Sequence, residues 1–204
     1  MSLGTAWVHR LIEEKAIIAN CHKQSGNLFT KELLSVNECR EALQSIEKSL
    51  LSVNPSLKIL LTLSPIRHTK EGMVENQRSK STLHIAIQEM VNQSNACFYF
   101  PSYELVLDDL RDYRFYTEDM IHPNSVAISY IWKYVENSLL DERSRAVNKS
   151  ISKLQKALAH KSTFDNKENS KKFVAKSLRI MDQIEPQLAI SLEKERKYLE
   201  NLLA

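Results

Sequence analysis

The stretch LKILLTLS, residues 57–64, constrains the fold of this chain more than any other. It is short, apolar and bounded by Pro55 and Pro65, which is the pattern of a β-strand buried on both faces. Similar runs occur before and after it, and we predict strands near Leu3 to Val8, Leu57 to Ser64 and Ala96 to Phe100. Helical stretches separate these runs, and strands joined by helical crossovers pair in parallel. The sequence therefore predicts an α/β fold with about three parallel strands.

The two helical stretches between the predicted strands carry their own signals. Ser35 and Glu38 have the spacing of a capping box at the start of the first helix. Apolar residues then recur at spacings of three and four, at Val36, Cys39, Leu43, Ile46, Leu50 and Val53 in the first helix and at Leu83, Ala86, Ile87, Met90 and Val91 in the second. Each set is the apolar face of an amphipathic helix.

From Ser125 onward the pattern is helical throughout. We predict helices from Ser125 to about Leu140, from about Asp141 to His160, and from about Asn166 to Leu203 with a bend at Pro186. From residue 141 the chain holds 14 Lys and Arg against 9 Asp and Glu, so this region is mildly basic. We therefore predict two parts, an α/β domain at residues 1–140 and a C-terminal helical extension at residues 141–204 that packs on it.

Composition excludes several classes of function. The chain has three glycines, too few for a dinucleotide fingerprint or a phosphate-binding loop, and we expect no cofactor. The net charge of +3 does not indicate nucleic acid, and no apolar run reaches the roughly 18–20 residues needed to span a bilayer.

The three cysteines, Cys21, Cys39 and Cys97, are odd in number and widely spaced, as in proteins with reduced thiols. No second pair of ligands has zinc spacing, so we expect no metal. The given residues carry no export signal, so we expect a cytoplasmic protein.

The stretch TEDMIHPNSVAISYIW, residues 117–132, places Asp119 three residues before His122 at the mouth of an amphipathic helix. If Asp119 accepts a hydrogen bond from one ring nitrogen of His122, the other nitrogen is free to take a proton from a nucleophile. Taken alone the motif is weak, because Asp119 could equally cap the helix while His122 packs. We predict that the two side chains lie within hydrogen-bond reach, near the loops that hold Gly4 and Ser64, because segments following parallel strands meet at one sheet edge.

Resemblance to a known family is carried by four longer segments, GTAWVHR, NCHKQSGNLFTKELLSVNE, LTLSPIRHTKEGMVENQRSKSTLHIAIQEM and YFPSYELVLDDLRDYRFYTEDMIHPNSVAISYIW. From Gly4 to about Phe173 the chain resembles the GSCFA family, which is regarded as related to the SGNH (GDSL-like) hydrolases. The resemblance implies a three-layer α/β/α fold and ester or acyl hydrolysis through Ser, His and Asp. On it, His122 matches the catalytic base and Asp119 matches the carboxylate that orients the base.

The chain departs from that family at the nucleophile. The segment Gly-Ser-Cys-Phe-Ala carries the family's presumed nucleophilic Ser, and this sequence does not contain it. We therefore expect an N-terminally truncated, partial α/β/α domain that is inactive as given and self-associates through an exposed sheet edge. Ser64 ends a strand, but Pro65 after it has no N–H for an oxyanion, so we predict that Ser64 shapes its loop rather than attacks substrate.

Four residues are candidates for binding the substrate or its oxyanion: Gly4, Ser64, Arg67 and His68. Gly4 matches the place where SGNH enzymes supply a backbone N–H, because a residue without Cβ lets substrate approach closely. The usual Asn two residues later is replaced by Ala6. Arg67 and His68 are candidate substitute donors or anion contacts, with an ordinary surface loop as the alternative.

Two functions from different classes follow. The first is a fragment of a GSCFA-type hydrolase whose intact form cleaves a small-molecule, glycan or lipid ester. The second is a non-catalytic module whose basic C-terminal helices contact a protein or a polyanion. The chemistry-bearing motifs cluster before Pro123, whereas the C-terminal helices show only a generic amphipathic pattern, so the first hypothesis is favoured.

Overall fold

A computed structural model of the chain describes residues 1–19, 21, 23–159, 167–188 and 191–201. The chain divides into two compact units, Met1–Trp132 and Lys133–Ala204. The predicted helix ends near His160, Asn166 and Leu203 lie outside the described residues.

The strands of the first unit form two sheets. In chain order the described strands are β1 (Ser2–Leu3), β2 (Trp7–Leu11), β3 (Ile17–Ile18), β4 (Phe29–Leu33), β5 (Ile59–Leu63) and β6 (Cys97–Tyr99). One sheet has the order β1-β5-β6 with both pairs parallel, and the other has the order β3-β2-β4 with both pairs antiparallel. The prediction of three parallel strands is therefore confirmed, and with it the α/β fold class.

Strand β5 is the centre of the parallel sheet and of the core. Ile59, Leu61 and Leu63 are buried, whereas Leu60 and Thr62 between them are partly exposed. The strand is therefore fully buried on one face only, not on both as the apolar run predicted. Burying each large aliphatic side chain stabilises the fold by roughly 1.5–3 kcal/mol, so this alternating face contributes strongly to holding the unit together.

Helix α1 (Val36–Val53) packs on α2 (Met73–Gln93), and α2 packs on β5. Their buried residues join those of the strands in one cluster, which includes Cys39 and Leu43 of α1 and Leu83, Ala86, Ile87 and Met90 of α2. The predicted capping box is present, with the Ser35 hydroxyl accepting from the Glu38 N–H and the Ser35 N–H donating to the Glu38 carboxylate. The Ser35 hydroxyl also donates to the Glu38 carboxylate at 2.7 Å, and this bond, followed by the one from the Ser35 N–H, lowers the pKa of Glu38.

The antiparallel sheet was not predicted, and it corrects the first strand. The expected strand from Leu3 to Val8 is two elements, because the chain leaves the parallel sheet after Leu3 and re-enters β structure at Trp7 as β2. Its partner β4 lies in a stretch whose sequence has no clear period. Cross-strand contacts hold the pair, with Arg10 donating to Glu32 at 2.5 Å.

After β6, the short helix α3 (Ser102–Glu104) continues as a π-helical turn at Leu105–Asp109. The Ser102 hydroxyl contacts the Thr62 hydroxyl at 2.5 Å and donates to the Leu63 carbonyl at 2.9 Å. These contacts attach the segment after β6 to the end of β5.

From Ser125 onward most of the described chain is helical. The helices are α4 (Ser125–Leu139), α5 (Glu142–Ala159), α6 (Lys167–Ile184) and α7 (Glu193–Asn201). The prediction of a single helix that bends at Pro186 is wrong: α6 ends at Ile184, a short 3-10 turn follows at Glu185–Gln187, and α7 begins at Glu193. The second unit has its own apolar cluster, formed by Leu154, Val174, Met181, Ile184, Leu192 and Leu199.

Candidate active site

The turn that carries Asp119 and His122 is closed by its own backbone. The Thr117 N–H donates to the His122 carbonyl at 2.8 Å, and the Asn124 N–H donates to the Phe115 carbonyl at 2.9 Å. Met120, between the two candidate residues, has a φ of 57°, a left-handed conformation that non-glycine residues adopt at a cost of about 1 kcal/mol or more. The chain therefore accepts local strain to form this turn.

Asp119 and His122 are in direct contact. Nδ1 of His122 lies 2.6 Å from Oδ2 of Asp119, which places the pair within the predicted hydrogen-bond reach. The other carboxylate oxygen, Oδ1, accepts from the Thr117 hydroxyl at 2.5 Å and from the N–H groups of Ile121 at 2.8 Å and His122 at 3.0 Å. The Thr117 hydrogen bond, followed by those from His122 and Ile121, holds the pKa of Asp119 well below its usual range. Asp119 is thus a fixed carboxylate aimed at one ring nitrogen.

Arg67 fastens this turn to the loop that follows β5. Its N–H lies 3.4 Å from the Ile121 carbonyl, and Nη1 donates to the Met120 carbonyl at 3.2 Å. The guanidinium group also lies over the rings of Tyr116 and Tyr113, at 4.3 and 5.1 Å from their centroids. Both main-chain contacts fall within the turn, so Arg67 supports the dyad from the neighbouring strand end.

The His68 ring packs beside Gly4. A Cβ added to Gly4 would come within 2.7 Å of Nε2 of His68, so any larger residue there would push this ring aside. The sequence argument assigned that space to substrate, whereas the structure shows the imidazole in it. Burial, the charge of Lys80 and the nearby His122 lower the pKa of His68, in that order of effect. His68 thus contacts Gly4 and lies close enough to His122 to feel its charge, and the predicted proximity of the Gly4 loop to His122 stays a prediction.

Ser64 is built into its loop. It is 9% exposed, its N–H donates to the Leu3 carbonyl at 2.8 Å, and its hydroxyl accepts from the Ile66 N–H at 3.2 Å. Its carbonyl accepts from Nζ of Lys80 at 2.7 Å. These contacts agree with the loop-shaping role predicted for Ser64.

Three side chains missed by the sequence analysis support the whole site from α2. The Asn76 carbonyl oxygen accepts from the His68 N–H at 2.8 Å, and the Ser79 hydroxyl accepts from the Ala6 N–H at 2.7 Å. Lys80 donates to the carbonyls of Gly4 at 2.6 Å and Ser64 at 2.7 Å. All three side chains are buried, and burial lowers the pKa of Lys80 to about 8. We name Asn76, Ser79 and Lys80 the polar face of α2.

The spacing of these three residues in the sequence could have revealed the polar face of α2. Asn76, Ser79 and Lys80 continue, at spacings of three and four, the apolar stripe that begins at Leu83. Polar residues on the extension of an apolar stripe must be buried beside it, and buried polar groups need partners. Here the partners are the backbones of the β1 and β5 loops.

Two cavities border the site. One of about 430 Å³ is lined by Arg67, Thr69, Met73, Tyr113, Asp119, Met120 and Ile121. The other, of about 380 Å³, is lined by Thr5, Trp7, His9, Lys31, Arg67, His68, Thr69, Lys70, Glu71 and Ile121. Arg67, Thr69 and Ile121 belong to both, so the two cavities meet near Asp119.

Within the described ranges, no cluster of three or more His, Cys, Asp or Glu side chains is arranged to hold a metal ion. No helix in the described part of the chain is both long enough and apolar enough to cross a membrane.

Comparison with known proteins gives one match. No curated protein and no solved structure matches the chain significantly. The GSCFA family matches residues 1–135, which ends before the limit near Phe173 that the sequence resemblance predicted. The match contains every candidate site residue, and it covers about two thirds of the 204 residues. The chain belongs to the GSCFA family.

Proposed function

We propose that this chain supplies the base and the orienting carboxylate of an ester hydrolase, with His122 as the base and Asp119 as its orienting partner. The observation that carries the proposal is the 2.6 Å contact between Nδ1 of His122 and Oδ2 of Asp119. With Nδ1 donating to the carboxylate, Nε2 is the nitrogen left to accept a proton. Family membership and the position of both residues after the third parallel strand support the same role.

The proposed chemistry is acyl transfer through a serine of the Gly-Ser-Cys-Phe-Ala type, which is not among these residues. The serine proton passes to Nε2 of His122 as the serine oxygen bonds to the ester carbonyl carbon. The resulting oxyanion collapses, the ester C–O bond breaks, and the leaving alkoxide takes the proton from His122. Water then repeats the sequence, releasing the acid and restoring the serine.

The cavities beside the dyad suit a small ester or one acylated unit of a larger molecule. Their volumes of about 430 and 380 Å³ fall in the range of small-ligand sites, which is roughly 300–1,000 Å³. Trp7 and Tyr113 add aromatic surface, and Arg67 adds a cation, at the cavity walls. An acyl group on a carbohydrate or lipid is the substrate class that we propose.

The test compares the 204-residue chain with a form extended to include a Gly-Ser-Cys-Phe-Ala segment. A p-nitrophenyl ester assay and a fluorophosphonate probe should show activity and labelling only in the extended form, and His122→Ala should abolish both. His84→Ala is the matched control, because His84 is an exposed histidine of α2 that pairs with Glu104. An extended form unaffected by His122→Ala would refute the hydrolase. Labelling of the 204-residue chain at Ser64, lost in His122→Ala, would refute an external nucleophile.

A second candidate function is favoured by one observation in the second unit. A cavity of about 580 Å³ is lined by Lys153, Lys156 and Lys176, with Phe173 and Ile180 beside them, and no carboxylate is among its described lining residues. We propose polyanion binding there as the alternative. Replacing the three lysines by Met should abolish binding of a short polyphosphate, whereas replacing Lys171, Lys172 and Lys194, which do not line the cavity, should not. Equal loss in both triple variants would leave only nonspecific attraction.

A further inference from the structure

The parallel pairing of β1 with β5 ends in an unusual way beside the candidate site. The last backbone hydrogen bond runs from the Ser64 N–H to the Leu3 carbonyl at 2.8 Å. In a regular parallel pair the Thr5 N–H would next donate to the Ser64 carbonyl. That carbonyl instead accepts from Nζ of Lys80 at 2.7 Å, and no described residue accepts from the Thr5 N–H. The pairing therefore stops with one backbone donor unused.

The direction of that donor follows from the peptide before it. The Gly4 carbonyl accepts from Nζ of Lys80 at 2.6 Å, so it points toward the buried ammonium group. In a trans peptide the N–H of the next residue points opposite to the C=O, and no described peptide bond is cis. The Thr5 N–H therefore points away from Lys80. Thr5 lines the cavity of about 380 Å³ that Arg67 and Ile121 also border.

The ammonium group of Lys80 lies on the other side of the Gly4–Thr5 peptide, and no described carboxylate pairs with it. It is 1% exposed, its described hydrogen-bond partners are carbonyls, and the Tyr103 ring lies 6.0 Å from Nζ. Burial lowers its pKa to about 8, so the ammonium form still predominates at pH 7. A buried cation is costly, and an anion held by the Thr5 N–H on the far side of the Gly4–Thr5 peptide would still be attracted to it.

We propose that Lys80 is a positioning residue that turns the Thr5 backbone N–H into the cavity, where this N–H binds the oxyanion of the substrate. Backbone N–H groups aimed at a developing negative charge are a principal means of stabilising acyl-transfer intermediates. The assignment of the oxyanion to an ester rests on the proposed function. The anion site itself is a property of this chain and needs no nucleophile.

The test uses acetate, a simple carboxylate, and the 204-residue chain labelled with ¹⁵N. Acetate should shift the Thr5 amide proton downfield in a saturable manner at constant ionic strength. The Ala6 amide is the internal control, because it already donates to the Ser79 hydroxyl at 2.7 Å and should not respond. Lys80→Met should weaken the Thr5 response by about tenfold or more, a factor that corresponds to about 1.4 kcal/mol.

Lys70→Met is the matched control for charge alone. Lys70 is an exposed lysine that lines the same cavity, and removing it should change acetate affinity by less than about threefold, as for a solvent-screened charge. Lack of a Thr5 response in the wild-type chain, or an equal response in Lys80→Met, would overturn the proposal. If Lys80→Met does not fold, the wild-type comparison decides: a response at Thr5 and not at Ala6 supports the site, and any other pattern refutes it.

This experiment separates the anion site from the hydrolase. A Thr5 response in a protein whose extended form hydrolyses no ester would refute the proposed function and keep the site. Hydrolysis by the extended form without a Thr5 response would refute the site and keep the function.

Discussion

The two units differ in what they bury. Among the described residues, the buried polar side chains of the first unit are Ser64, Asn76, Ser79, Lys80 and Ser102, whereas the second unit buries Ser177. All five in the first unit lie at or near the ends of β5 and β6 or on the polar face of α2. The second unit is closed by an apolar cluster. Burying polar groups lowers stability unless they are hydrogen-bonded. In the first unit these groups are buried where their hydrogen bonds hold the loops around the dyad in place.

The largest expected effect tests the dyad that these loops present. In the extended form, Asp119→Asn should lower kcat by about 10⁴-fold, because an amide favours the wrong tautomer of His122. Asp112→Asn is the control, since the Asp112 side chain caps the preceding turn through the Arg114 N–H at 2.8 Å. Steady-state kinetics on an ester substrate measure both. A loss in Asp119→Asn no greater than in Asp112→Asn would contradict the assigned role.

The next prediction compares how a Lys→Met substitution in each unit changes the free energy of unfolding. Lys80→Met should lower the free energy of unfolding by about 2 kcal/mol, because hydrogen bonds from a charged donor to the carbonyls of Gly4 and Ser64 are lost. Lys153→Met, at an exposed position of α5, should change it by less than about 0.5 kcal/mol. Urea denaturation measures the difference. An equal loss of stability in the two variants would contradict the claim that buried polar contacts stabilise the first unit more than the second.

The stability difference between wild type and Lys80→Met should depend on pH. Because the pKa of Lys80 is lowered to about 8 in the fold, the unfolded chain binds more protons from there to roughly pH 10.4, and the Lys80 contribution rises with pH across this window. Burial raises the pKa of the Cys39 and Cys97 thiols, which act in the opposite direction in both proteins and cancel in the difference. Urea titrations at pH 7, 8, 9 and 10 should show the wild-type advantage increasing. A constant advantage would mean that Lys80 titrates normally.

A smaller effect is expected at the start of α1, away from the site. Ser35→Ala should cost about 1 kcal/mol, because the Glu38 N–H loses its cap and the reciprocal contact is weakened. Ser45→Ala, at an exposed position inside the same helix, should be nearly neutral. Thermal unfolding measures both variants. A neutral Ser35→Ala would show that local capping adds little to a unit held by its core.

Local signals in the sequence predicted much of the first unit, and long-range contacts account for what was missed. The capping box at Ser35 and the apolar run of β5 are encoded by neighbouring residues, and both are present. The end of β1 after Leu3 has no such signal, because it depends on Ser79 and Lys80, more than 70 residues away. Strand β4 was missed for the same reason, since its cross-strand partners define it.

The candidate site divides in the same way. The contact between Asp119 and His122 is local and was predicted from their spacing of three. Gly4 was predicted to leave room for substrate. The fold shows instead that the His68 ring fills the space beside it. Lys80 was missed because a lysine in a helix is normally solvated, and its burial follows from the loops that close over it.

The most direct test of the account is the tautomer of His122 in the 204-residue chain. When the ring is neutral, ¹⁵N NMR should show Nδ1 protonated and Nε2 unprotonated, because Nδ1 lies 2.6 Å from the Asp119 carboxylate, which can only accept a hydrogen bond. Asp119→Asn should abolish this preference, whereas Asp112→Asn should preserve it. A protonated Nε2 in the wild-type chain, or a ring whose tautomer does not change in Asp119→Asn, would contradict the claim that Asp119 prepares His122 to act as a base.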